Sequence, residues 1–178
     1  MTHFQLLARF NGWVNERLYA CIAGVPEDVY RSDRKAYFGS IHRTLNHLLV
    51  VDRLWAGRIE GIDRGIRALD QILHDDFASL WAARREEDAR LIDLVDRLDE
   101  ERLRQPVRYE RIIGTGLEEA RAGDILLTLF NHQTHHRGQI HALLTQADVA
   151  PPPLDVIFYL EVSGQAGPPG TVADRTWA

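Results

Sequence analysis

His132 and His136 stand four residues apart in the stretch Asn131-His132-Gln133-Thr134-His135-His136-Arg137-Gly138-Gln139. On a helix, positions i and i+4 lie one above the other on a single face, so two imidazoles at this spacing can reach one metal ion. Ile125, Leu129, Ile140 and Leu143 recur at helical spacing around them. At about 100° per residue, these six positions fall within roughly 80° of arc. Both histidines therefore face a core, where an unpaired polar group is costly. A hydrogen-bonded pair of core histidines has the same pattern. A third ligand from another element distinguishes the two readings, because three protein ligands and an open position make the usual catalytic zinc-type site.

The candidate third ligand is His47, within Gly39-Ser40-Ile41-His42-Arg43-Thr44-Leu45-Asn46-His47-Leu48-Leu49-Val50-Val51-Asp52-Arg53-Leu54-Trp55. Ile41, Leu45, Leu48, Trp55 and Ile59 form one apolar stripe, which also carries Asp52. Thr44, His47, Val51 and Leu54 form a second stripe beside it. A helix apolar on two sides belongs inside a bundle, so His47 is expected to be buried. Its rival His42, between Ile41 and Arg43, reads as solvated. Periodicity alone does not bring His47 to face His132 and His136. A buried Asp52 needs a partner, and Arg137 or the free ring N–H of a ligand histidine would serve. The competing reading of Asp52 is an ion pair that joins two helices. Gln139 reads as a helix–helix hydrogen bonder, His141 as exposed, and Trp13 and Trp55 as core.

Four long helices and one short one are expected to carry these residues. The first runs about His3 to Ile22 and is closed by Gly24 and Pro26. A charged loop follows, from Val25 to Phe38. The second runs about Ser40 to Ile59, with Ser40 as N-cap, and is broken by Gly61 and Gly65. The third starts at Asp75 or Asp76 and runs to about Leu103, where Gln105-Pro106 ends it. Val107 to Ala120 alternates around Gly114-Thr115-Gly116 and fits a small β-hairpin or an extended loop. The fourth runs about Gly123 to Ala147 and stops at Pro151-Pro152-Pro153. Leu154 to Val162 is apolar enough for a short docking helix. The Gly- and Pro-rich segment from 163 to 178 is expected to be a mobile tail, which leaves residues 1–162 as one domain.

Several of these segments together resemble the DinB-like family of small bacterial helical-bundle metalloproteins. Phe10-Asn11-Gly12-Trp13-Val14-Asn15 is similar to its first-helix pattern. Thr44-Leu45-Asn46-His47 with Asp52 and Trp55 is similar to its second-helix signature, and Asn131-His132 through Gln139 to that of its fourth helix. Pro151 to Leu160 resembles its C-terminal segment. The resemblance covers about residues 3–161. It implies an all-α four-helix bundle of the up-down-down-up type. It also implies one divalent ion, commonly nickel or zinc and sometimes iron or manganese, held by His47, His132 and His136.

Three neutral imidazoles leave a metal open positions, and a Lewis acid of this kind lowers the pKa of a bound water or thiol. Relatives of the implied fold activate small-molecule thiols. The expected function is therefore metal-dependent transfer of a low-molecular-weight thiol to a small electrophile, in detoxification or stress response. The alternatives are a metal-dependent hydrolase and a non-enzymatic metal- or ligand-binding stress protein. Hydrolysis calls for a carboxylate base beyond Asp52. The residues between the histidines are Gln133, Thr134 and His135, with no Glu of the HExxH kind.

Composition narrows the partners. The chain has 178 residues, 45% of them hydrophobic and 26% charged, with a net charge of -5. This is ordinary globular usage, enough for one real core. No basic block or aromatic-basic interleaving is present, which argues against nucleic acid. Cys21 is the only cysteine, so no internal disulfide can form, and the reducing cytoplasm is the expected compartment. A small half-hydrophobic thiol of this kind reads as a buried residue rather than a reactive one. The first residues, Met1 to Gln5, do not read as a signal peptide. The apolar runs Leu48–Val51 and Ile125–Leu127 are far too short to span a bilayer.

The first two helices carry apolar residues on more sides than one seam requires, and relatives in the resembled family are often homodimers. Sedimentation at micromolar concentration is therefore expected to give about twice 20.3 kDa. A clean monomer would refute the expectation.

Overall fold

The computed structural model describes residues 1–164, and the expected mobile tail lies outside them apart from its first two residues. The chain is mostly helical, with one small two-stranded sheet. Its elements are α1 (His3–Ile22), α2 (Glu27–Arg31), α3 (Ile41–Glu60), α4 (Phe77–Asp96), α5 (Glu100–Arg104), β1 (Pro106–Glu110), β2 (Leu117–Arg121), α6 (Ala122–Thr145) and α7 (Val156–Val162).

Side-chain caps start most of the helices. The Thr2 hydroxyl accepts from Gln5 N–H at 3.2 Å while Gln5 Oε1 accepts from Thr2 N–H at 2.8 Å, a reciprocal capping box. Ser40 caps α3 through Arg43 N–H, and Asp76 caps α4 through Ser79 N–H. Gly61 ends α3 at φ +70°, a left-handed conformation that costs glycine little. The expected third helix is shorter than its charge pattern suggests. It stops at Asp96, and Asp99 then accepts from Arg102 N–H and starts the separate short α5. The expected charged loop after α1 likewise holds a helix, α2, which buries Tyr30.

The alternating segment before α6 is a β-hairpin. Strands β1 and β2 pair antiparallel, with Val107 opposite Ala120 and Arg108 opposite Glu119, whose side chains form a 2.7 Å ion pair. Gly114 and Gly116 turn it at φ +78° and +127°. Arg58 of α3 stacks over both Trp55 and Tyr109 and donates to the Glu110 carbonyl, which ties the hairpin to α3. Trp55 and Trp13 are only half-buried, each at the edge of a cluster. Helix α7 docks on α1 through Tyr159, which packs against Phe10 and Trp13.

The four long helices contact one another as α1 with α4 and α6, and α3 with α4 and α6. They bury two large apolar clusters. One gathers Leu18, Ile22, Ile41, Leu45, Leu49, Leu80, Ile140 and Leu144; the other gathers Ala8, Ala56, Leu91, Leu94, Ile125, Leu126 and Leu129. Between these positions every long helix carries buried polar residues: Asn11 and Asn15 on α1, Asp52 on α3, Arg84 and Asp88 on α4, and Gln133 and Arg137 on α6.

Arg84 is 2% exposed and sits between Asp52 at 2.8 Å and Asp88 at 2.9 Å. Burial works against its charge, but the Asp88 and Asp52 carboxylates outweigh that cost and hold the guanidinium above its ordinary pKa. Burial also pushes the Asp88 carboxyl up to about 6, although Arg84 draws it down. Helix α1 completes the layer, since Asn11 and Asn15 both donate to Asp88. Removing one partner of such a group strands a buried charge. Arg84→Met should therefore cost about 3–5 kcal/mol, read as a lower urea midpoint with the helical circular dichroism of the folded state retained. A loss below about 1 kcal/mol would show that the carboxylates are solvated or protonated at neutral pH.

Candidate metal centre

His47, His132 and His136 converge although His47 on α3 and His132 on α6 are 85 residues apart in the chain. One nitrogen from each ring lies within 4.8 Å of the other two. Nε2 of His47 and Nε2 of His132 face each other at 3.0 Å. Two ligand nitrogens on a common ion at ordinary Zn–N lengths stand about 3.3 Å apart in a tetrahedral site, so this separation suits a shared ion. His47 and His136 are buried and His132 is half-buried.

Two of the rings have their other nitrogen engaged. His47 Nδ1 lies 2.7 Å from the Leu69 carbonyl. A carbonyl only accepts, so Nδ1 bears the proton and Nε2 keeps its lone pair. His136 Nδ1 lies 2.7 Å from Gln139 Oε1, with the same consequence. Outer partners of this kind orient ligand imidazoles. His132 Nδ1 is buried without a partner among the described residues. The three histidines could thus hold a metal ion with nitrogen donors.

The environment keeps the rings neutral, the form a metal requires. Burial pushes His47 down to about 4, although the Leu69 bond pulls it up. Burial, then the neighbouring His136 and His47, pushes His132 down to about 3. Burial also lowers His136, against the Gln139 bond.

Phe38 covers the cluster on one side. Its ring stacks on His47 with centroids 3.8 Å apart and lies 5.5 Å from that of His136. Phe38 also walls an open cleft of about 790 Å³, lined further by Tyr37, Arg43, Arg67, Leu69 and Ile113.

Several expectations require correction. His42 is not solvated: it is 5% exposed, edge-on to Tyr30, with Nε2 3.2 Å from the His74 carbonyl. It lies outside the three-histidine group. Asp52 pairs with Arg84 rather than with Arg137, which is the competing reading of an ion pair that joins two helices. Five residues turn a helix by about 140° beyond one full turn, which carries Asp52 away from His47 and toward α4. Arg137 is about 100° on from His136 and points at α1, donating to Asn11 and Asn15. Neither Asp52 nor Arg137 bonds to an imidazole. Gln139 serves His136 on its own helix rather than a second helix. Its i, i+3 spacing was a readable signal. His141 and Cys21 are half-buried rather than exposed and fully buried. The Leu69 carbonyl left no trace in the sequence, because any residue type can offer a backbone oxygen.

A profile of the DinB family matches residues 1–170. The chain belongs to the DinB family. It is similar to Protein DinB of Bacillus subtilis (strain 168), 27% identical over 167 residues covering 86% of this chain and 91% of the relative. Among the described residues of this DinB-family chain, no helix is long and apolar enough to cross a membrane.

The depressed imidazoles give a pH signature for the metal-free protein. An unfolded histidine takes up its proton near pH ~6.5, whereas folded His47 and His132 resist it down to about 4 and 3. At these two groups the unfolded state then binds more protons, so their contribution to stability falls as pH drops below ~6.5, while Asp88, its carboxyl pushed up to about 6, contributes in the opposite sense over the lower part of that range. Urea midpoints in chelator at pH 7.5, 6 and 5 should therefore fall more on acidification, or rise less, in wild type than in His132→Asn. An unchanged slope in the variant would assign the pH dependence to other groups.

Proposed function

We propose that His47, His132 and His136 hold one divalent metal ion, nickel or zinc before iron or manganese, and that the protein is a metal-dependent thiol transferase. The observation that carries this reading is the convergence of three neutral imidazoles, two of them with Nδ1 already committed to a partner. A divalent ion bound there supplies a Lewis acid that favours the ionised form of a thiol at neutral pH.

The chain's own residues support the chemistry around such an ion. Leu69 and Gln139 orient two rings. Phe38 shields the cluster from water on one side while lining the cleft. The cleft is of a size for small ligands and offers Tyr37, Phe38 and Ile113 to apolar parts and Arg43 to an anionic group. A low-molecular-weight thiol and a small electrophile would meet there. Asp52 faces Arg84, so hydrolysis would have to recruit another carboxylate as its base.

The same reading takes residues 1–162 as one domain, an up-down-down-up four-helix bundle. The apolar cluster that joins the late residues of α1 and α6 to the early residues of α3 and α4 supports it. The protein is further read as a cytoplasmic homodimer acting in stress response.

Wild-type protein should carry about one metal ion per chain and lose it in His132→Ala/His136→Ala. Turnover of a small electrophile should require both the metal and a thiol such as glutathione, and should return on reconstitution. Full metal content in the double variant would defeat the ligand assignment. Metal-dependent turnover without any thiol would favour hydrolysis.

A further inference from the structure

Residues 61–76, between α3 and α4, contain no helix or strand. This loop has no ladder of its own to hold a carbonyl in place, yet Leu69 offers its carbonyl to His47 at 2.7 Å. The grip comes from the residue next to His47. Asn46 is 0% exposed, and three of its five side-chain hydrogen bonds go to the same loop, the other two to His42 on its own helix. Oδ1 accepts from Leu73 N–H at 2.9 Å and from His74 N–H at 3.0 Å. Nδ2 donates to the His74 carbonyl at 3.0 Å and to the His42 carbonyl at 3.2 Å. Backbone N–H groups only donate, so the two bonds to Oδ1 also settle which way the amide points.

The two adjacent residues thus hold one loop at two places four residues apart, Asn46 at 73–74 and His47 at 69. We infer that Asn46 is a positioning residue for the metal centre. By clamping the loop it keeps the Leu69 carbonyl against His47 Nδ1, and so holds His47 in the Nδ1–H tautomer with Nε2 aimed at His132. The consequence for metal rests on the function proposed above. The tautomer does not, because it belongs to the metal-free chain. Leu73 also packs on the apolar cluster beside α3, which fixes the loop's position, but an apolar contact does not select a tautomer.

The test is ring-nitrogen NMR on ¹⁵N-labelled, metal-free protein, comparing wild type with Asn46→Ala. Wild type should show His47 with the proton on Nδ1. The variant should show a mixture of tautomers at His47 alone, with faster amide exchange at Leu73 and His74 and unchanged exchange at Leu49 in the core. Zinc titration of the same samples should show a loss of about 10–100-fold in affinity. Freed Leu73 and His74 amides with His47 still wholly Nδ1–H would overturn the inference. If Asn46→Ala fails to fold, wild-type exchange decides: His47 Nδ1–H should exchange with the same opening constant as Leu73 and His74 N–H. A ring-proton opening constant tenfold larger than that of those amides, each corrected for its intrinsic exchange rate, would overturn it. Wild type that binds no zinc would defeat the metal reading and leave the tautomer result standing.

Discussion

The structure depends on a layer of buried charge that cannot be left unpaired. Arg84 lies between Asp52 and Asp88, and the Asp88 carboxylate in turn takes Asn11 and Asn15. Arg137 shares those two asparagines and reaches Gln133 on its own helix. All four long helices contribute to this layer, with apolar residues before and after it along each of them. A helix that slid by one turn would keep much of its apolar burial, because leucines and isoleucines substitute for one another at modest cost. It would also leave a carboxylate or a guanidinium alone in a dry core, which costs several kcal/mol. The apolar clusters account for the compactness of the chain, and the charged layer selects one register.

That register determines where the histidines stand. Each has a buried polar neighbour in sequence, bonded to another part of the structure. Asn46 precedes His47 and grips the α3–α4 loop. Gln133 follows His132 and donates to the Leu48 carbonyl on α3. Arg137 follows His136 and donates to α1. Neighbouring residues on a helix are about 100° apart, so each histidine faces the cluster while its neighbour anchors the backbone one step around. The neutrality of the rings has a different source. Burial disfavours imidazolium, and the bonds to Leu69 and Gln139, which alone would favour protonation, are too weak to reverse it.

Belonging to the DinB family fits the helical content, and the three histidines that the sequence resemblance implied as ligands do converge. Family membership does not specify a reaction; the local surroundings of the cluster in this chain are the Phe38 ring on His47 and the cleft that Phe38 also lines.

Much was legible in the sequence because it depends on local periodicity. The long helices and the inward stripe shared by His132, His136, Ile125, Leu129, Ile140 and Leu143 follow from spacing, and the hairpin around Gly114 and Gly116 was one of two readings that spacing left open. The apolar sides of α3 likewise marked His47 as buried. What the sequence could not decide were choices among partners of equal chemical merit. Asp52 needed a cation, and both Arg84 and Arg137 qualify by type. Only the packing of α3 against α4 selects Arg84. His42 looked solvated beside Arg43, yet the α3–α4 loop folds over it and offers the His74 carbonyl. The outer support of His47 comes from a backbone carbonyl, which every residue possesses and no side-chain pattern reveals. Periodicity states which face of a helix turns inward; only the tertiary structure decides what that face meets, because the meeting groups lie on segments far apart in the chain.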